Sequence, residues 1–134
     1  MQSIDIAQLL NAALQGSGYA PERLAMLDGG CTIALELCDL PSMHITEQEG
    51  EVWLWSRLGS LNDAALDRFG GSLLKSLLAG CGFARSGQLQ LAQSEGELEL
   101  RAQLHPDCLE DGPHFAAALN GFFDALNHFR ELLL

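Results

Sequence analysis

Residues 88–104, QLQLAQSEGELELRAQL, decide the fold because leucine recurs at every second position on both sides of a short break. Amide or charged side chains fill most of the positions between the leucines. A period of two is that of a β-strand, and the break Ser94-Glu95-Gly96 is typical of a hairpin turn. The pattern predicts two antiparallel strands that pack a leucine face and leave a polar face in water.

Three helices are predicted around this hairpin. Apolar residues at helical spacing indicate the first helix at residues 4–15. Ser60 or Asn62 can cap a second helix, which ends at the glycine-rich residues 80–82. Pro113 is tolerated in the first turn of a third helix. The third helix carries an unbroken apolar stripe made of Phe115, Leu119, Phe122, Leu126, Phe129 and Leu133.

Three further strands are predicted between the first two helices, at residues 31–37, 43–46 and 52–60. We expect Pro41 to end the first of them, and residues 16–30, with Pro21 and several glycines, to form a loop. The resulting fold class is α+β, with the order α-β-β-β-α-β-β-α, a twisted antiparallel sheet and flanking helices. With 134 residues, the chain is expected to form a single domain over residues 1–134.

Composition excludes several classes of function. Eighteen acidic against seven basic residues give a net charge of −11, which makes nucleic acid and anionic membranes poor partners. No apolar run is long enough to span a membrane, and the N-terminus lacks the features of a signal peptide. The four cysteines have no metal-binding spacing. We therefore expect no metal, no cofactor and buried thiols in a reducing cytoplasm.

Motifs for catalysis are absent from the sequence. Four histidines could act as general bases, but none stands in a recognisable catalytic pattern with a serine, cysteine or acid. Cys81 lies near Arg85, which is a weak indication of an activated thiol. We expect a protein that is not an enzyme, and a small thiol-dependent enzyme that uses Cys81 with a histidine remains the alternative.

Two apolar surfaces indicate protein binding instead. The third strand places Trp53 and Trp55 on one face and Val52 and Leu54 on the other, whereas the predicted helices can cover one face only. Tryptophan is enriched at binding hot spots. The second helix carries a broad apolar stripe, consistent with a twofold interface. Ordinary core packing is the competing explanation for both. The stripe comprises Leu66, Phe69, Leu73 and Leu77, beside Leu74 and Leu78.

Short motifs lie along nearly the whole chain. They are Met1-Gln2, Asp5-Ile6-Ala7, Trp53-Leu54-Trp55, Leu58-Gly59, Gly80-Cys81-Gly82-Phe83-Ala84-Arg85, Gly87-Gln88-Leu89, Gly96-Glu97-Leu98, His105-Pro106-Asp107, Asp111-Gly112 and Ala118-Leu119-Asn120-Gly121-Phe122. Together and in this order they resemble the motifs of the invasion protein B family, the class IB chaperones of bacterial type III secretion. Cys108 departs from the family, where a larger aromatic residue is expected.

The resemblance implies a bacterial cytoplasmic chaperone that holds the non-globular N-terminal segments of one or more effectors extended and competent for secretion. It also implies a homodimer joined through Leu66, Phe69, Leu73 and Leu77 of the second helix, and contact with the secretion ATPase. A dimeric regulatory or adaptor protein of the same fold, which binds a transcription factor, is the alternative. The candidate effector-binding residues are Leu9, Ala13, Ile33, Leu35, Leu37, Leu40, Ile45, Trp53 and Trp55.

Overall fold

An antiparallel sheet of six strands organises the chain in the computed structural model, which describes residues 5–17, 23–27, 32–37, 40–60 and 62–133. The strands lie side by side in the order β1-β2-β3-β4-β6-β5. The elements are α1 (Ile6–Ser17), β1 (Arg23–Leu27), β2 (Thr32–Leu37), β3 (Leu40–Gln48), β4 (Glu51–Ser60), α2 (Asp63–Leu78), β5 (Gln90–Ser94), β6 (Glu97–Gln103), a short 3-10 helix (Pro106–Leu109) and α3 (Gly112–Leu132).

Two tight turns fix the register of the sheet. Glu49 and Gly50 join β3 to β4 with φ angles of +55° and +82°, and Glu95 and Gly96 join β5 to β6 with +53° and +79°. Positive φ at both central residues is the geometry of type I′ hairpin turns, in which the second position favours glycine. The hairpin predicted across residues 94–96 and the turn predicted at residues 47–50 are confirmed.

The core lies between one face of the sheet and the helices. The aromatic stripe of α3 supplies Phe115, Phe122 and Phe129, each at most 1% exposed. Its sequence periodicity therefore marked the buried face of the helix correctly. The sheet and α1 meet it with apolar side chains that include Ile6, Leu10, Ile33, Leu35, Met43, Ile45, Val52, Leu54, Leu98, Leu100, Ala102 and Leu104.

Side chains cap the second and third helices at their N-termini. Asn62 accepts a hydrogen bond from the Ala65 amide at 2.8 Å, which settles the choice between the two predicted caps of α2. Asp111 accepts one from the His114 amide at 2.9 Å and begins α3, with Pro113 in the first turn as predicted. These bonds satisfy amide groups that have no partner within the helix. Among the described residues, no helix is long and apolar enough to cross a bilayer.

The predicted order of elements is confirmed, with one addition. The strand β1 falls inside the stretch predicted as a loop, and it pairs with β2 from Arg23 opposite Glu36 to Leu27 opposite Thr32. Leu, Ala and Met favour helices over strands, so local preference gave no signal. Pro41 lies inside β3, near its start, where a strand tolerates the missing amide donor.

A close contact between α1 and α3 yields a test of this packing. A Cβ atom added at Gly112 would lie 2.9 Å from backbone atoms of Ala12. Because backbone cannot rotate away, Gly112→Ala should lower the free energy of unfolding by about 1–3 kcal/mol. The exposed Asn120→Ala in the same helix serves as control, and urea unfolding measures both. Equal midpoints for the two variants would disprove the contact.

Candidate functional site

The two faces of β4 have opposite surroundings. Val52 and Leu54 are fully buried in the core, whereas Trp53 and Trp55 are half-buried on the other side. We call this other side of the sheet the outer face. Alternation sends successive side chains to opposite faces, and α1 and α3 cover the core face. The prediction that the tryptophan pair and the Val52–Leu54 pair occupy separate faces is confirmed.

Cross-strand register arranges the outer face in rows. Trp53 stands opposite Thr46 on β3, and Thr46 stands opposite Thr32 on β2. One row along, Trp55 stands between His44 on β3 and Arg101 on β6. Residues directly opposite each other on adjacent strands have neighbouring side chains. The register therefore surrounds both tryptophans with polar groups that are distant from them in sequence.

Trp55 is held in a fixed orientation by its neighbours. Its ring stacks on that of His44, with centroids 3.9 Å apart and planes inclined by 8°. Its Nε1 donates a hydrogen bond to Thr46 Oγ1 at 3.0 Å, and Thr46 Oγ1 lies 3.2 Å from Thr32 Oγ1. One ring face is thus covered and the indole donor is satisfied. These contacts hold the Trp55 side chain in place on the outer face.

The surroundings of His44 disfavour the protonated imidazole. Burial lowers its pKa below the usual value of 6.5, and the positive charge of Arg57 lowers it further, against smaller opposing effects of Glu99 and of a backbone hydrogen bond with Trp55. Its Nδ1 atom is enclosed and makes no hydrogen bond within the described part of the chain. For a charged imidazole, the loss of hydration and the repulsion by Arg57 outweigh the favourable contacts with Glu99 and the Trp55 backbone.

Glu99 corrects the prediction that the polar face of the β5–β6 hairpin is wet, because this residue is only 6% exposed. Since β6 lies between β4 and β5, side chains of both neighbours shield its outer face. The Glu99 carboxylate accepts a hydrogen bond from Arg101 Nε at 2.9 Å. Arg57 pairs with Glu97 at 3.2 Å and with Glu95 at 3.8 Å, so charges tie β4 to the hairpin.

These side chains enclose an open depression of about 710 Å³, which we call the outer groove. Two tryptophans line it together with three carboxylates, one guanidinium and three uncharged polar side chains, and residues of the β3–β4 turn form one end. The outer groove is lined by Thr32, Thr46, Gln48, Glu49, Glu51, Trp53, Trp55, Glu99 and Arg101.

The predicted effector-binding residues fall into four groups. Trp53 and Trp55 line the outer groove, and Leu9 is partly buried on α1. The side chains of Leu37 and Leu40 lie outside the described part of the chain. The remaining four are at most 2% exposed in the protomer core, where a ligand cannot reach them; these are Ala13, Ile33, Leu35 and Ile45.

The residues of α2 predicted to form the dimer surface differ in exposure. Leu73 is 3% exposed and belongs to the core, and Phe69 and Leu77 pack partly against it. Leu66 is 46% exposed, and Leu74 and Leu78, which the sequence placed beside the stripe, are 56% and 64% exposed. Large exposed apolar side chains on one helix mark an interaction surface. We call the row Leu66, Gly70, Leu74 and Leu78, at a spacing of four residues, the α2 ridge.

Comparison with known proteins identifies the family. The profile of the invasion protein B family matches residues 18–95, more than half of the chain. The chain belongs to the invasion protein B family. It is 42% identical to the surface presentation of antigens protein SpaK of Salmonella typhimurium strain LT2, and equally to that of Salmonella typhi. Both alignments span 134 residues, which are 100% of this chain and 99% of each relative.

A solved structure shares the fold of this invasion protein B family member. It is a chain of the heterodimeric ExoU–SpcU complex from the type III secretion system of Pseudomonas aeruginosa. The superposition has a TM-score of 0.53 at 21% identity and covers 92% of this chain and 93% of the other. The α+β fold is therefore shared with a component of type III secretion, as the motifs implied.

The two described thiols of this family member, Cys81 and Cys108, are partly buried. Burial raises the pKa of Cys81, and burial together with the charge of Asp107 raises that of Cys108. The Cys108 thiol donates to the Phe83 carbonyl at 3.7 Å. In reactive cysteines the thiol pKa is lowered, which is the opposite of the direction for Cys81 and Cys108. Cys31 and Cys38 lie outside the described residues.

One polar pair was missed by sequence reasoning. Ser76 on α2 and His128 on α3 are hydrogen-bonded at 2.9 Å, although they are 52 residues apart. In the part of the chain that the structure describes, no carboxylate orients His128 and no group of three residues could hold a metal ion. The bond joins two helices. Helical spacing relates residues within one helix and places both of these on polar faces. It therefore gives no sign that Ser76 and His128 face each other across two helices.

The buried imidazole predicts a pH dependence. Because the folded-state pKa of His44 is lowered, the unfolded chain binds more protons below pH 6.5, and the free energy of unfolding falls as the pH drops through that value. His44→Phe keeps a ring against Trp55 and removes the titration. Between about pH 5.5 and 7.5, the slope of the free energy of unfolding against pH should be smaller in this variant than in the wild type. The difference should correspond to the uptake of less than one proton on unfolding.

His114 provides the internal check for that measurement. A side-chain hydrogen bond with Asp111 raises its pKa, so it contributes a slope of opposite sign. His114 is present in both proteins and cancels in the difference. Identical slopes in the wild type and His44→Phe would show that His44 titrates normally.

Proposed function

We propose that this chain is a cytoplasmic chaperone of a bacterial type III secretion system and not an enzyme. In this proposal it binds the N-terminal, non-globular segments of one or more effectors, keeps them extended and stable, and aids their delivery to the secretion ATPase. The observation that carries the proposal is the outer groove: an aromatic surface on a sheet face that no described helix covers, in a member of the invasion protein B family.

The geometry suits an extended ligand. The outermost strands of the described sheet, β1 and β5, have one neighbouring strand each, so each presents an edge. An added strand gains main-chain hydrogen bonds that are independent of its sequence, and this allows one chaperone to bind several effectors. Apolar anchors must offset the entropy lost by the effector segment. Burying one large side chain contributes about 1.5–3 kcal/mol, and Trp53 supplies such a surface.

Trp53 and Trp55 have different parts in this proposal. Trp55 is stacked on His44 and hydrogen-bonded to Thr46, so it shapes the groove wall. Trp53 lies closer to the β3–β4 turn and lines the groove without a hydrogen bond to another described side chain. We therefore assign the anchoring contact with the effector to Trp53. Leu9 of α1 stays a candidate for a second contact, because it is only partly buried.

The proposed chaperone is a homodimer joined through the α2 ridge. Rows of side chains four residues apart form the ridges that interlock when helices pack. Gly70 leaves a notch in this row, since a Cβ added there would meet nothing within 4 Å. A glycine in a helix interior costs about 1 kcal/mol relative to alanine. Close approach of a second α2 helix at Gly70 explains why this cost is tolerated.

The effector proposal predicts the behaviour of Trp53 variants. Co-purification from the native bacterium, with mass spectrometry of bound proteins, should recover secreted effectors. For the N-terminal segment of a recovered effector, Trp53→Ala should weaken binding by about ten- to hundredfold, because a buried aromatic anchor is lost. Calorimetry measures the dissociation constants. Trp53→Phe is the matched control and should retain most of the affinity.

Other outcomes identify the alternatives. Unchanged affinity in Trp53→Ala would remove this residue from the site. Recovery of a transcription factor in place of effectors would identify a regulatory adaptor. If Cys81→Ala abolished the activity of a still folded protein, the thiol-enzyme alternative would replace the proposal.

The dimer proposal predicts opposite effects on association and folding. Light scattering should give about twice 14.5 kDa for the wild type, and Leu74→Asp should give a folded monomer because a charge replaces an exposed apolar contact. Gly70→Ala should weaken the dimer, yet stabilise the separated protomer, measured in the Leu74→Asp background, by up to about 1 kcal/mol. A monomeric wild type, or a dimer unchanged by Leu74→Asp, would remove α2 from the interface.

A further inference from the structure

Negative charge is concentrated at one end of the outer groove. Glu49 and Glu51 line the end formed by the β3–β4 turn, and Glu47 in the same turn accepts a hydrogen bond from the Gly50 amide. Among the described residues, Arg85 is the one base paired with these three carboxylates. At the other end, Arg101 neutralises Glu99 at 2.9 Å. The turn end therefore carries a local excess of negative charge.

An aromatic surface lies directly beside these carboxylates. Trp53 and Glu51 are two residues apart on β4 and line the same groove. Two residues of a strand span about 6.6 Å on one face. A cation placed over an indole ring gains about 0.5–2 kcal/mol, depending on how dry the site is. Carboxylates and an indole at this spacing suit an ammonium or guanidinium group on an extended chain.

The guanidinium group of Arg85 contacts a carboxylate at the turn end. Arg85 Nη1 lies 3.5 Å from Glu51 Oε1, and both side chains are about half exposed. Exposed pairs of this kind are weak and exchange readily. The contact shows that a basic side chain fits against Glu51, and it makes Arg85 a competitor for any ligand cation at that position.

The groove length sets the size of the ligand. From Glu51 to Trp55, the strand rises about 13 Å at roughly 3.3 Å per residue. Four or five residues of an extended segment span this distance. Such a segment can place one basic side chain at the turn end while an apolar side chain four positions along, on the same face, lies over Trp55.

We propose that the outer groove selects client segments that place a lysine or arginine at its turn end, between Trp53 and the carboxylates of Glu49 and Glu51, next to an apolar residue. This inference rests on the proposed function and deepens it. The net charge of −11 acts in the same direction, because it attracts basic segments from a distance.

Intrinsic fluorescence tests the inference directly. The chain contains two tryptophans, and both line the groove, so their emission reports on its occupancy. The probes are three synthetic peptides of about 11 residues, long enough to cross the groove. They share an alternating leucine–serine sequence in which the central leucine is replaced by lysine, glutamine or glutamate, so that this side chain lies on the same face as the remaining leucines. At low salt, the lysine peptide should bind about three- to tenfold more tightly than the glutamine peptide.

Charge variants of the protein show which residues cause the preference for the lysine peptide. The double variant Glu49→Gln, Glu51→Gln should bring the affinities of the lysine and glutamine peptides to within about twofold, since the paired carboxylates are lost. The double variant Glu110→Gln, Glu131→Gln makes the same change in net charge elsewhere and should retain the preference. Arg85→Gln should strengthen binding of the lysine peptide more than Arg68→Gln on α2, because Arg85 competes for Glu51.

The possible results separate the inference from the proposed function. Equal affinities for all three peptides, with a change in tryptophan emission, would overturn charge selection and leave the groove as an effector site. Equal effects of the two glutamate double variants would reduce the preference to overall charge and also overturn the inference. No emission change with any peptide would overturn it as well, while the Trp53→Ala measurement on a native effector decides the proposed function separately.

Discussion

The packing of α3 against one face of the sheet is the constraint on which the other features depend. Three phenylalanines on one stripe of the helix are buried in the core that the sheet and α1 complete. Because side chains alternate along a strand, this choice of core face also determines every side chain on the opposite face. A register slip by one residue in β4 would bury Trp53 and expose Val52. The outer groove is therefore fixed by the core behind it.

Local signals were sufficient to predict most of the fold. The hairpin at residues 88–104, the cap at Asn62 and the stripe of α3 each depend on residues close in sequence, and the structure contains all three. The strand β1 depends on pairing with β2 and has helix-favouring residues, so it was predicted as a loop. Tertiary pairing determined its conformation.

The candidate site was predictable only in part, because its composition depends on register. Two tryptophans on one face of β4 could be recognised from alternation alone. Their contacts with His44, Thr46 and Arg101 come from β3 and β6, and the sequence gives no rule for which residues stand opposite each other. Glu99 shows the same limit. It lies in an alternating polar row, and it is buried because strands flank it on both sides.

The two sheet edges at β1 and β5 carry a risk of polymerisation. An open edge can pair with the edge of another copy and start a fibre, and many proteins protect such edges with bulges, prolines or covering helices. If client strands are added there, as in the proposed function, a cover of this kind would block their binding. The net charge of −11 offers a different protection, since like-charged copies repel each other before their edges meet. Colloidal repulsion would then let the sheet stay open without aggregating.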